Sequence, residues 1–498
     1  MTKPRRATPR SFRGGSPRSV LVVMCVGYFL VLLDVTIVNV ALPGIGSALG
    51  AGVSGLQWVV DGYALALASL MLTAGTVGDL YGHRRIVLAG LVVFGVGSLA
   101  CGLAPAVAVL VAARVVQGVG AALLLPGTLA IITHAFPDEA GRARAIGVWA
   151  GIGSLALPAG PLLGGALVDG FGWRAIFLLN VPIVLLSLVW AGAIVPESRT
   201  PHARRLDLPG VLLGGVLLLA TTYAFIEGGR SGAASKAVVV AAVVAVVSLL
   251  ALIAVERRRG DDAMLPLRLF GRAGFDVANT AAGTMNLGTL GTLFVLMLFL
   301  QLIQHREPLG AGLAIVALFA PLAVIAPFGG RLTSRIGARL PTAAGLLVAA
   351  AGLALLTLAT PSSGYGTLLL AFLLWGIGLG LLTPAAVAAA IAAVPHDRAG
   401  LASAINNTAR QAGGAIGIAV AGAIAGQPGN GPHFMRGFHV VALGSALFYV
   451  AAAVLALAFL PGALLRRAGR HRSPGGEREG SADTEPERQD SPRDTGSG

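Results

Sequence analysis

The chain has 498 residues, 55% of them hydrophobic and only 12% charged, with 70 glycines and a mean hydropathy of +0.81. Soluble domains carry about 25% charged residues, so an assembly of aqueous enzyme domains is excluded and a polytopic membrane protein is implied. The formal charge of +14 does not indicate nucleic acid, because the basic residues are spread thinly between apolar runs instead of gathering on one domain.

A helix needs about 20 residues to cross a hydrocarbon layer of about 30 Å. Runs of that kind predict fourteen spans, at 20–42, 56–77, 86–104, 107–132, 144–167, 175–195, 208–227, 236–255, 278–302, 311–332, 341–360, 367–393, 401–424 and 439–460. Residues 1–19 read as a basic arm before a retained first helix, since the apolar run is long enough to span and lacks a small-residue cleavage site. Residues 20–195 then form one six-helix bundle, 196–275 two inserted helices with their linkers, and 276–460 a second six-helix bundle. The polar segment 461–498 has nothing to bury and is expected to be disordered. Cys25 and Cys101 sit in apolar runs and suit neither a disulfide framework nor a metal site.

Lysine and arginine set the expected orientation. The loops on the side of the termini hold 26 of them and the opposite loops five, which places both termini in the cytoplasm. The chain also repeats: "GTVGDLYGHRR" (75–85) aligns with "GRLTSRIGARL" (330–340), and "QGVGAALLLP" (117–126) with "WGIGLGLLTP" (375–384). Two bundles of one ancestry are implied, a pattern that fits a transporter rocking about a central site.

Ionisable residues within apolar runs are costly and mark function. In "FLVLLDVTIVNVALP" Asp34 lies deep in span 1, with Asn39 following as a candidate cavity residue. Span 4 opens "RVVQGVGAA", placing Arg114, Gln117 and Gly118 on one helix face. Hydrocarbon disfavours an ionised carboxyl and a nearby arginine favours it, so Asp34 held between the two can load and release protons, with Arg114 and Gln117 tuning it. The alternative is an ion pair that only locks spans 1 and 4. Asp61, in "QWVVDGYALA", reads as a solvated acid at a helix start or as a second proton contact. In the short turn after span 2, Asp79, Gly82, Arg84 and Arg85 are expected to form a conformational latch, the alternative being a purely structural loop. Span 5, "GIGSLALPAGPLLGG", brings Gly160, Pro161, Gly164 and Gly165 into a tightly packed helix. In span 13, "SAINNTARQAGGAIG", Asn406 and Arg410 are candidate cavity residues. Where the first half has Arg114 and Gln117, the second has Phe372 and Trp375, so the ionisable chemistry is concentrated in the first half.

These motifs resemble the major facilitator superfamily, and specifically its fourteen-span drug:proton antiporters. "GTVGDLYGHRR" is similar to the superfamily's loop motif G-x-x-x-D-x-x-G-R-[KR]-[KR], departing at His83. "RVVQG" resembles the span 4 motif to which proton coupling is attributed, and "GPLLGG" the span 5 motif of exporters. "LDVTIVNVALP" and "WRAIFLLNVP" look like the span 1 and span 6 signatures, and the resemblance covers about residues 18–462. It implies an all-α major facilitator fold of two six-helix bundles plus two inserted helices, in a bacterial cytoplasmic membrane. It further implies drug export driven by the proton motive force, without a cofactor, in the manner of the self-resistance exporters of antibiotic-producing bacteria. Substrates of such exporters are hydrophobic or amphiphilic and often cationic, which makes Phe294, Phe299, Phe372 and Trp375 candidate cavity walls, the alternative being lipid-facing or packing aromatics. The alternatives are a proton-coupled exporter or symporter of one metabolite and a membrane sensor on the same fold.

Overall fold

The computed structural model describes residues 15–198, 206–260, 263, 265–395 and 398–461. The expected basic arm before residue 15 and the expected disordered segment after residue 461 lie outside the described residues.

The first bundle contains α1 (Pro17–Leu49), α2 (Val53–Tyr81), α3 (His83–Gly102), α4 (Val107–Ala135), α5 (Glu139–Phe171), α6 (Ala175–Leu178) and α7 (Asn180–Ile194). A hairpin follows, α8 (Leu208–Ser231) and α9 (Lys236–Arg259). The second bundle contains α10 (Ala273–Leu298), α11 (Pro308–Ile336), α12 (Arg339–Leu355), α13 (Tyr365–Ala392), α14 (Ala399–Ala425) and α15 (Gly431–Phe459).

Local chemistry sets many of the boundaries. Ser16, Asp138, Asp207, Ser235 and Asn430 cap helix starts by accepting from backbone N–H groups one turn ahead. Span 6 breaks at Leu179 because Pro182 has no N–H to offer the Leu178 carbonyl. Counting α6 and α7 as one span, 13 helices among the described residues are long and apolar enough to cross a membrane. The remaining long helix, α14, carries Asn406, Asn407, Arg410 and Gln411 and falls short in apolarity, although its 27 residues suffice in length. It is sheltered by α10, α2 and α8, which pack along it.

The internal repeat is visible in the packing. A Cβ placed on Gly90 would stand 3.0 Å from the Gly120 carbonyl oxygen, and one on Gly345 2.7 Å from that of Gly378. Likewise Gly97 abuts the Gln117 backbone and Gly352 the Trp375 backbone. The α2 and α11 helices end alike, with Gly82 at φ 103° and Gly337 at φ 83°, where a side chain would be strained.

Both described ends of the chain lie on one face of the molecule, here the termini face. On the opposite face the bundles meet closely, α5 against α11 and α2 against α14. There Gln57 donates to the Ile418 and Ala419 carbonyls at 3.0 and 2.8 Å. Gln301, in a π turn at Phe299–Ile303, donates to the Val40 carbonyl at 2.9 Å, and the Leu309 N–H donates to Asp169 at 3.0 Å. Toward the termini face α5 packs on α1 through Trp149 and Gly153, while a Cβ built on Gly147 or Gly151 would meet nothing within 4 Å. These hydrogen bonds between the bundles are thus gathered on the face opposite the termini. The hairpin lies along the seam between the bundles: α8 touches both α2 and α14, through Trp58–Tyr223 and Gly229–Ala423, while α9 turns valines such as Val240, Val243 and Val247 outward.

Candidate functional site

Asp34 and Arg114 are each 1% exposed and Gln117 is fully buried, Asp34 near the middle of α1 and the other two in the first half of α4. Arg114 Nη1 donates to Asp34 Oδ2 in a short contact. Gln117 Nε2 donates to Asp34 Oδ1 at 2.8 Å and to Ser98 Oγ at 2.9 Å, and Arg114 Nη1 also donates to Gln117 Oε1 at 2.7 Å. Arg114 Nε donates to the Val59 carbonyl at 3.0 Å, and its guanidinium lies 4.3 Å over the Tyr63 ring. Glycines make this density possible: a Cβ on Gly118 would stand 2.9 Å from the Ala66 methyl, and one on Gly97 2.7 Å from the Gln117 nitrogen, so α2 and α3 both press onto α4.

The arrangement can hold a proton. Both oxygens of Asp34 are satisfied while it is ionised, which offsets its desolvation. When it is protonated, Arg114 loses its counter-charge but keeps the Val59 carbonyl, the Gln117 amide oxygen and the face of Tyr63, which moderate the cost. Sequence reasoning missed Tyr63, Ser98 and Asn180. Tyr63 donates to the Val31 carbonyl at 3.1 Å, and Asn180 lies 3.4 Å from Ser98 Oγ. The signal for Asn180 was present in "WRAIFLLNVP".

Asp61 corrects an expectation. It is fully buried rather than a solvated helix-start acid, and among the described residues neither carboxylate oxygen has a hydrogen-bond partner. One turn before it Gln57 reaches α14, so Asp61 lies on the seam, apart from the Asp34 cluster.

The loop residues gather around an acid that sequence reasoning missed. Glu197, just past α7, accepts from the Arg84 N–H at 3.1 Å and lies 3.6 Å from Arg85 Nε. Arg84 Nη2 donates to the Gly192 carbonyl at 2.6 Å, Asp79 lies 3.2 Å from His83, and Gly82 leaves room for the Glu197 carboxylate. Glu197→Ala removes an acceptor and a solvent-screened ion pair, an expected stability loss of about 1 kcal/mol. Thermal unfolding of the purified protein measures it, and an unchanged midpoint would count against Glu197 as the organiser of this loop.

In α5, Gly160 and Gly164 admit Thr36 and Ile37 of α1, while Gly165 meets Leu309 and the Pro161 carbonyl meets Gly312 of α11. One helix thus joins the Asp34 helix to the second bundle. A small cavity in the seam is lined by Val35, Asn39, Tyr63, Arg114, Leu290 and Gln411 among others. Phe372 and Trp375 are not among the residues lining this cavity; both are fully buried inside the second bundle, where Gly352 packs on Trp375. Phe294 and Phe299 are fully buried in the core as well. Asn406 is also turned inward, tying α14 to α10 through the Ala278 carbonyl at 3.3 Å and Asn279 at 3.2 Å. Arg410 remains partly buried on α14, across the seam from Tyr28.

Two like helical bundles, the seam between them and a buried ionisable cluster beside it define a multi-pass membrane transporter. The description "Major Facilitator Superfamily" matches residues 24–309 and 280–490, and the chain belongs to that family. It is similar to the Multidrug resistance protein Stp of Mycobacterium tuberculosis (strain CDC 1551 / Oshkosh), 40% identical over 81% of this chain and 75% of that protein. It is also similar to the Methylenomycin A resistance protein of Streptomyces coelicolor (strain ATCC BAA-471 / A3(2) / M145), 35% identical over 92% of this chain and 93% of that protein. Among solved structures, the POT family transporter PepTSo shares the fold over 92% of this chain and 99% of its own, with a TM-score of 0.64 at 13% identity.

Proposed function

We propose that the protein exports hydrophobic or amphiphilic antibiotics across the bacterial cytoplasmic membrane in exchange for protons. The observation that carries this is the asymmetry of the repeat: Asp34, Arg114 and Gln117 form a buried, hydrogen-bonded ionisable cluster in the first bundle, where the second has Phe372 and Trp375. Similarity to the multidrug and methylenomycin A resistance proteins supports the cargo. The excess of arginine in the loops of the termini face supports placing that face in the cytoplasm.

With that orientation the bonded side of the seam faces outward while Asp34 is paired with Arg114. This is the state that has given up its proton and receives drug. The bundles then swing, the drug leaves outward, and Asp34 takes a proton from outside before returning. Asp61, buried on the seam without a partner, is a second proton contact in the cycle. Each entering proton contributes about 2.3 kcal/mol per 100 mV before the pH gradient is added. The Asp79, Gly82, Arg84 and Arg85 loop serves as the latch between states, and the lipid bilayer is the surrounding solvent.

The test is expression in a pump-deficient bacterial host against a broad antibiotic panel. Raised tolerance that disappears when a protonophore collapses voltage and pH gradient is expected; efflux unchanged by that collapse would overturn the coupling.

A further inference from the structure

The coupling chemistry leaves Arg410 without a role. It sits near the middle of α14, its Nε has no hydrogen-bond partner, and among the described residues no carboxylate forms an ion pair with it. Arg114, by contrast, holds a carboxylate, an amide, a carbonyl and a ring. A guanidinium left unpaired at membrane depth is among the most costly side chains to retain, and it persists where a cavity or ligand receives it.

Gln411, next to Arg410, and Val35, two turns along α1 from Tyr28, line one small cavity in the seam, and the Tyr28 ring stacks on Trp149 of α5 with centroids 3.8 Å apart and planes 14° from parallel. Both rings are partly exposed, and among the described residues the Trp149 Nε1 has no acceptor. Gly153 gives Tyr28 its place, and a Cβ on Gly151 or Gly147 would meet nothing within 4 Å. A flat aromatic surface on the first bundle and an unmet cation on the second therefore stand on the two sides of the seam.

We propose that this part of the seam binds an aromatic anion: Arg410 pairs with a carboxylate or phenolate of the ligand, and the Tyr28–Trp149 stack takes its ring. The guanidinium fork matches a carboxylate with two parallel hydrogen bonds, and offset stacking holds the ring. A cationic amphiphile meets only repulsion from Arg410. The inference rests on the export reading for the ligand being cargo, and it narrows that cargo to anions. Export of an anion and entry of a proton both run down an inside-negative voltage, so one turnover moves two charges in the favoured sense.

The test is equilibrium dialysis of the purified full chain in phosphatidylcholine nanodiscs against radiolabelled 2-naphthoate, 2-naphthamide and tetraphenylphosphonium. The carboxylate is expected to bind about tenfold to a hundredfold tighter than the amide. Arg410→Gln abolishes that preference while amide binding remains, Arg410→Lys keeps part of it, and Tyr28→Ala weakens both ligands. Equal affinities in the unmodified protein, a preference for tetraphenylphosphonium, or undiminished naphthoate binding in Arg410→Gln would overturn the proposal. So would displacement of naphthoate by added phosphatidylglycerol, which would make anionic lipid the occupant. Binding is read without a gradient, so a failure of proton-driven export leaves this result standing, and the reverse also holds.

Discussion

Asp34→Asn is expected to reduce proton-driven drug accumulation in inverted membrane vesicles to the level of empty vesicles, while the protein still folds and still binds drug. Asparagine keeps the shape of the side chain and offers Arg114 an oxygen, so the cluster stays filled. What it removes is the ability to carry a proton. Asp34→Ala is a harsher change, because it leaves a buried guanidinium without its counter-charge, at a cost of about 3–5 kcal/mol. Arg114→Ala is expected to cost a similar amount, and the double variant to cost less than the two combined, since residues of one network couple by about 0.5–3 kcal/mol. Additive stability losses would show that the two side chains do not act as a unit. Full accumulation by a correctly inserted Asp34→Asn protein would remove the carrier role altogether.

Much of this cluster was legible in the sequence because helical spacing is local. Arg114 and Gln117 had to share a face of α4, and a charge in an apolar run had to look inward. Tyr63 and Ser98 were not legible, since tyrosine and serine in a membrane helix carry no signature of the partner they meet. The burial of Asp61 depends on α14 and α8, far along the chain, and its position near a helix start pointed the wrong way. Glu197 was hidden for the same reason, lying 113 residues from Arg84 in a segment without periodicity.

The inward orientation of Phe372 and Trp375 was readable, because the repeat equates Trp375 with Gln117, a residue expected within its own bundle; their aromatic character obscured it. Asn406 and Arg410 illustrate the limit of spacing as a guide. Four residues apart on α14, they differ by about 40° around the helix axis. That suffices to turn Asn406 into α10 and leave Arg410 at the seam.

The closed face of the seam gives the second large effect, Gly312→Leu. A Cβ on Gly312 falls on the Pro161 carbonyl, and one on Gly165 would stand 2.6 Å from Leu309 Cα, nearer than packed atoms approach. These are contacts between bundles, so the added side chain cannot be accommodated by a rotamer change; the backbones must part. Overpacking of this kind costs about 1–3 kcal/mol, which shifts the balance between the two seam arrangements by about tenfold to a hundredfold. Gly312→Leu should therefore lose transport while folding normally, by disfavouring the state closed on this face.

A cysteine at Gln301, which bonds to Val40 across the same seam, reports the shift once Cys25 and Cys101 are replaced. Labelling by an impermeant maleimide from the α1–α2 side should rise. Gly97→Val is the contrasting variant, because Gly97 abuts the Gln117 backbone within one bundle. It should lower folding yield without exposing position 301. If Gly312→Leu transports normally and its reporter stays protected, closure at α5 and α11 is not what separates the two states.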